Sequence, residues 1–389
     1  MKRNRKLILV IAVLLMLPTL ASWSQKRFVF TPQWKAQAQF AGYYVAQEKG
    51  FYKEEGIDVD IVHPSATQSA LSRVEDDDID ATTLQLCQAL KIVDSGVPLI
   101  NILQTSMNNA LVIVSRRGKN PLEQKGERVG IWKADFGEMA MCMSQKEGLG
   151  YEWVYYASEM NLFIRGAIDA IVAMSYNEYY QLLQTGIQLK DENVYRFCDH
   201  EYNVQEDGVY MRRDVYERNK EQADKFARAS QKGWEWAAEH PEETLDIVMK
   251  YVKLNHVATN RTIQKLMLDE VLRLQTDRET GKREFRLRPD MVKLASSLLL
   301  ENRVLKHEVT YTSLVNSETR KISNPKPQTS NLKSQTSNEE SFAIYQTVAV
   351  HEAQPVDSTF CCRRVPGSPG VHVRRVTPCR ASGGRKPCF

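Results

Sequence analysis

The sequence predicts an α/β protein of two lobes with a ligand cleft between them. Two observations carry that expectation, and a third bounds it. Runs of strand length alternate with runs of helix length from residue 26 onward. The alternation occurs twice, the second time from near residue 120. After "EDGVYMRR" the chain becomes mostly helical, to about residue 305.

In the first run, "RFVFT" is strand-like, residues 39–49 read as a helix, and "IDVDIV" alternates at period two. "SATQSALSRVEDD" suits a capped helix, and "TLQLCQALKIVDSG" a second one that stops at Gly96. "VPLINILQT" and "ALVIVSR" read as strands. In the second run, "GERVGIW", "YEWVYYA" and "AIVAM" are strands, and "GEMAMCMSQKEGL", "SEMNLFIRGAID" and "YNEYYQLLQTG" are helices. The expected division is residues 25–112 and 209–315 in one lobe and 113–208 in the other.

The two ends differ in kind from this body. "MKRNRKLILVIAVLLMLPTLASWSQ" has a basic start, an apolar run from Leu7 to Leu17, and small residues Ser22 and Ser24 before Gln25. Residues 1–24 therefore read as a cleaved secretory leader, since the apolar run is short of the ~20 residues a membrane span needs. The expected location is periplasmic or secreted. Residues 316–389 form a polar, low-complexity and then basic tail, with too few apolar residues to build a core.

Composition removes several function classes. The 389 residues carry a net charge of only +4. No basic patch interleaved with aromatics occurs in the body, so nucleic acid is not an expected partner. Cys87, Cys142 and Cys198 lack zinc or redox spacing and read as buried small hydrophobes. The carboxylates of "EDDDID" have no accompanying ligand and read as a solvated turn. The histidines are scattered, and neither a G-x-S-x-G nor a phosphate-binding loop occurs. No cofactor or metal is expected.

What remains points to a binding site. Open α/β sheets bind ligands beyond the carboxyl ends of their strands. Trp34 follows the strand "RFVFT" and should face the cleft, with Gln33, Gln37 and Tyr43 near it. In "GIWKADFGEMA" a strand, a short loop and a helix start bring Phe136, Gly137 and Glu138 to the cleft, where free N–H groups can hold an electron-rich atom. Tyr176, Asn177 and Glu178 stand at another strand end, and Asp207 where the chain crosses between lobes. An aromatic shelf with amides and carboxylates suits a flat, polar heterocycle.

The stretches "TPQWKAQAQFAGYYVAQEKGFYKEEGIDVDI", "KGERVGIW", "IDAIVAMSYNEYY", "EDGVY" and "KGWEWAAEHPEETLDIVMKY" carry a resemblance. Over residues 27–315 the chain is similar to the family joining thiamine pyrimidine synthases to ABC-transporter solute-binding proteins. The resemblance implies a type II periplasmic-binding-protein fold and a thiamine-related pyrimidine in the cleft. It also implies that Trp34 matches the tryptophan that stacks on the pyrimidine. The synthase branch carries a pyridoxal-phosphate lysine, a consumed histidine and a cysteine-rich motif. Those positions fall on Leu84, Gln88 and "EYNVQ" (201–205), none of which can do that chemistry. The expectation is a monomeric, non-enzymatic solute-binding protein that serves ABC permease subunits. A pyrimidine synthase and a ligand-sensing module are the alternatives.

Overall fold

The computed structural model describes residues 27–315, except 65–67, 117–119, 134–135, 158–159 and 279. The expected leader and tail lie outside the described residues. The described strands, in chain order, are β1 (Phe28–Thr31), β2 (Val59–Ile61), β3 (Ala81–Gln85), β4 (Leu99–Gln104), β5 (Leu111–Ser115), β6 (Arg128–Trp132), β7 (Glu152–Tyr156), β8 (Ala170–Met174), β9 (Val194–Arg196) and β10 (Asp207–Arg212). They form two five-stranded sheets, ordered β2-β1-β3-β10-β4 and β7-β6-β8-β5-β9. Two mixed sheets with helices, one per lobe, match the expected fold class.

The helices are α1 (Ala41–Glu48), α2 (Phe51–Glu54), α3 (Ala70–Glu75), α4 (Leu86–Asp94), α5 (Glu138–Lys146), α6 (Asn161–Ile164), α7 (Glu178–Gln184), α8 (Arg213–Arg218), α9 (Lys220–Glu239), α10 (Pro241–Leu254), α11 (Arg261–Leu274), α12 (Pro289–Glu301) and α13 (Tyr311–Leu314). Crossover connections make β1 parallel to both β2 and β3, and β6 parallel to both β7 and β8. The chain leaves the first sheet after Gln104, enters the second at Leu111, and returns at Asp207. There β10 runs antiparallel between β3 and β4, with Asp207 opposite Gln85 and Gly208 opposite Gln104. Both crossings between the sheets therefore attach to neighbouring strands of the first sheet, the outgoing one to the edge strand β4 and the returning one to β10 beside it.

A stack of aromatic rings fills the first lobe under β1. Phe28, Phe30 and Tyr52 each pack on Phe226 of α9, with centroids 4.8, 5.0 and 5.4 Å away. Helices α1 and α9 approach so closely that neither tolerates a side chain at the crossing. A Cβ on Gly233 would lie 2.1 Å from the Gly42 carbonyl oxygen, and one on Gly42 would lie 2.2 Å from the Trp234 ring.

Three sequence expectations need correction. "TLQLC" is not the start of a helix, because Ala81–Gln85 is the fully buried central strand β3 and the helix begins at Leu86. The segments at 194–196 and 207–212 are strands that the sequence reading passed over. The helix expected over 39–49 is a 3-10 turn at Ala38–Phe40 followed by α1. Cys87, Cys142 and Cys198 are free and buried, as expected.

Candidate functional site

The strand ends of both sheets converge on one pocket, which is nearly closed and has a free volume of about 20 Å³. Trp34, after β1, and Phe136, after β6, meet across it edge to face, with ring centroids 5.6 Å apart at 90°. Trp132, the last residue of β6, backs Phe136 at 6.2 Å. Met174 ends β8, and Tyr176, Asn177 and Glu178 follow it at the start of α7. Gln33, Gln37 and Gln39 complete the lining. The pocket shares Trp34, Gln37, Asn177 and Glu178 with a wider polar vestibule of about 910 Å³ that also reaches Lys35, His63 and Gln264.

A chain of hydrogen bonds holds the polar edge in place. Gln37 Nε2 donates to Gln39 Oε1 at 2.7 Å, and Gln39 Nε2 donates to Asp207 Oδ2 at 2.6 Å. Gln33 Nε2 donates to the other oxygen, Asp207 Oδ1, at 2.9 Å, and the Gln33 backbone N–H donates to Thr83 Oγ1 at 2.7 Å. Burial pushes the Asp207 carboxyl up from its ordinary value, while the two glutamine donors oppose that shift. With its amide nitrogen committed, Gln33 leaves Oε1 buried and without a partner. A buried acceptor of this kind costs free energy until a donor reaches it.

Glu178 presents the other acceptor. Its oxygens accept from the Met174 N–H at 3.0 Å and from Asn177 Nδ2 at 2.8 Å. Burial dominates and pushes its carboxyl up to about 7. Asn177 Oδ1 in turn accepts from Gln181 at 2.6 Å.

Behind Trp34, His63 Nδ1 meets the Trp34 carbonyl oxygen at 2.7 Å, and His63 Nε2 meets the Tyr44 hydroxyl at 2.8 Å. Burial lowers the His63 pKa to about 4, so the neutral ring fixes the Trp34 loop near neutral pH. Across the cleft, the Ser175 hydroxyl donates to Glu270 of α11 at 2.6 Å, and Lys91 of α4 pairs with Glu138 of α5 at 2.8 Å.

Seven of the residues singled out from sequence line the pocket: Gln33, Trp34, Gln37, Phe136, Tyr176, Asn177 and Glu178. The other four stand elsewhere. Tyr43 is buried in the aromatic core, 4.6 Å from Phe30 and 5.7 Å from Trp234. Gly137 is the N-cap of α5, where a Cβ would lie 2.3 Å from Ile131. Glu138 occupies the first turn of that helix and faces Lys91, so an acid stands where an electron-rich ligand atom was expected. Asp207 anchors the glutamines from behind. Gln39, Trp132 and Met174 line the pocket without having been singled out. Trp132 and Met174 end strands, so the strand-end rule that selected Trp34 would have found them.

Leu84 is fully buried inside β3, and Gln88 accepts from the Gln85 N–H at 3.1 Å to cap its own helix. Among the described residues, no group of three or more His, Cys, Asp or Glu could hold a metal ion. None of their helices is long and apolar enough to cross a membrane.

The family model described as NMT1/THI5 like matches residues 37–244, more than half of the chain. A formylaminopyrimidine-binding protein of Halalkalibacterium halodurans is 25% identical over 227 residues, 56% of this chain and 68% of that protein. Among solved structures, the ligand-binding component of an ABC-type import system from Staphylococcus aureus superimposes with a TM-score of 0.58 at 11% identity. That match covers 77% of this chain and 99% of the other. The periplasmic aliphatic sulphonate binding protein of Escherichia coli gives 0.53 at 12% identity, covering 80% and 97%. At such identities these structures speak for the fold, which is that of periplasmic binding proteins.

Proposed function

The chain belongs to the NMT1/THI5-like family, and from that premise we propose that it is the extracytoplasmic solute-binding protein of an ABC importer. Its ligand is an aminopyrimidine of the thiamine-precursor class. The observation that carries this reading is the pairing of the unpartnered Gln33 Oε1 with the Trp34 and Phe136 walls in one pocket. A flat aminopyrimidine suits this lining once the lobes part to admit it: its ring would lie against the indole, and its amino N–H groups would meet Gln33 Oε1 and the Glu178 carboxyl. The similarity to a formylaminopyrimidine-binding protein supports the same ligand class.

In this reading the protein binds and releases, and performs no bond chemistry. Binding joins the lobes through contacts already visible across the cleft, Ser175 to Glu270 and Lys91 to Glu138. The closed surface is what a permease would recognise. A thermal-shift screen of pyrimidines, flavins and sulfonates against the purified protein tests the assignment. Aminopyrimidines should raise the melting temperature most. Stabilisation by sulfonates or flavins alone would refute it.

A further inference from the structure

Helix α11 holds three parts of the cleft at once. Near its start, the buried Gln264 accepts through Oε1 from the Ala38 N–H at 2.7 Å, between the pocket residues Gln37 and Gln39. Near its end, Glu270 Oε1 accepts from the Ser175 hydroxyl at 2.6 Å, just before Tyr176, Asn177 and Glu178 in the chain. At its last residue, the Leu274 carbonyl oxygen accepts from the Met107 and Asn108 N–H groups at 3.0 and 3.2 Å, where the chain crosses out of the first sheet. Asn108 Nδ2 adds bonds to the Leu274 and Thr276 carbonyl oxygens at 3.1 and 2.8 Å. One helix of 14 residues thus binds pocket segments of both lobes and the connection between them.

The tie to the second lobe is charge-assisted. Arg273, three residues on, donates to both Glu270 oxygens, at 2.7 and 2.8 Å. Burial works to raise the Glu270 carboxyl, but Arg273, with Ser175 and Arg196, holds it below its ordinary value, so it stays ionised. An ionised acceptor makes a short, strong bond with a hydroxyl, and 2.6 Å is such a length. Ser175 is fixed on its other side by its N–H, which donates to the Ala110 carbonyl oxygen at 2.8 Å. Its neighbour Met174 donates to Glu178, so the stance of that pocket acceptor follows from where Ser175 is held.

We propose that Glu270 is a positioning residue for the pocket: through Ser175 it sets where Tyr176, Asn177 and Glu178 stand relative to Gln33 and Trp34 of the other lobe. Neither Glu270 nor Ser175 lines the pocket or the vestibule, so their effect on a ligand is indirect. The choice of probe below rests on the function proposed above; the positioning itself does not.

The test compares Ser175→Ala, Glu270→Ala, Glu270→Gln and the double alanine variant with wild type, in calorimetric titrations with 4-amino-5-hydroxymethyl-2-methylpyrimidine. Ser175→Ala removes one oxygen and leaves the Glu270–Arg273 pair in place. Glu270→Ala strands no buried cation, because the Arg273 side chain is half exposed. Each single alanine variant should weaken binding ~10-fold or more, as loss of a hydrogen bond to a charged group does. The double variant should bind no more weakly than Glu270→Ala, because both changes remove the same bond. Glu270→Gln should recover most of the affinity, since an amide oxygen in the place of Oε1 still accepts from Ser175 and Arg273. Wild-type affinity in Ser175→Ala, additive losses in the double variant, or a glutamine variant no better than alanine would overturn the proposal.

Amide hydrogen exchange gives a readout that needs no ligand. In Ser175→Ala the peptide spanning residues 174–178 should exchange ~10-fold or more faster, while peptides of α9 around Phe226 keep the wild-type rate. An unchanged rate at 174–178, or acceleration in α9 as well, would overturn the local role. If the pyrimidine binds no form of the protein, the proposed function fails, and the exchange rates still decide the role of Glu270.

Discussion

Replacing Trp34 with alanine removes one wall of the pocket while leaving the loop that carries it in place. The loop is tied through its backbone, where His63 meets the Trp34 carbonyl oxygen at 2.7 Å and Tyr44 holds the other imidazole nitrogen. Trp34 is only half-buried, so its loss leaves no closed core cavity. In the ligand-free protein the cost is the edge-to-face contact with Phe136, worth ~0.5–1.5 kcal/mol. In the complex the indole also stacks on the ligand, at ~1–3 kcal/mol per base-like ring. Trp34→Ala should therefore weaken binding ~5–150-fold, with only a small fall in melting temperature. Trp34→Phe should recover part of the loss. The assay is titration calorimetry beside a thermal melt. Wild-type affinity in Trp34→Ala would mean that the ring is packing rather than a shelf, and the site built on it would fail.

Glu178 gives a pH dependence with a definite sign. Its carboxyl rises from 4.5 to about 7 on folding, so the folded protein holds that proton more tightly than the unfolded chain does. Its contribution is full below 4.5 and is lost as pH climbs through about 7, a loss on the order of 3 kcal/mol. Glu178→Gln should flatten the fall of melting temperature between acid and neutral pH, and an unaltered slope would contradict the burial argument. Gly233→Ala should destabilise by roughly 1–3 kcal/mol, because its Cβ would meet the Gly42 carbonyl rather than a movable side chain; a wild-type denaturation midpoint would refute that close approach. Removing residues 316–389, whose sequence lacks a core-forming apolar pattern, should leave melting temperature and ligand affinity unchanged. A loss of several degrees would show that the tail packs on the body.

The two runs of alternating strands and helices were legible because most of their strands are short apolar stretches bounded by turns. Strand β3 was not, for a physical reason. "ATTLQ" lies at the centre of its sheet, yet three of its five residues are polar, with Thr82 donating to the Thr31 carbonyl oxygen at 2.8 Å. Its buried side chains hydrogen-bond within the fold instead of advertising a hydrophobic run, and the following helix absorbed it in the pattern. Strand β10 was hidden because its partners are 100 or more residues distant, and no local period records an antiparallel return. The site was read best where a residue ends a strand, as Trp34 does. It was read worst where burial decides, as for Tyr43, which packs in the core one turn away from the loop that lines the pocket. The glutamine network converging on Asp207 joins residues 33, 39 and 207 across the sequence, and only the fold brings them together.

The central claim is that the pocket takes an aminopyrimidine through the unpartnered acceptor on Gln33 and the carboxyl of Glu178. The most direct measurement is a calorimetric titration of the purified protein at neutral pH with 4-amino-5-hydroxymethyl-2-methylpyrimidine, beside the same compound lacking its amino group. The account expects saturable one-to-one binding with a Kd on the order of 1 µM, and binding ~10-fold or more weaker for the desamino compound, which leaves Gln33 Oε1 without a donor. No binding of the aminopyrimidine, or equal affinity for the two compounds, would contradict it.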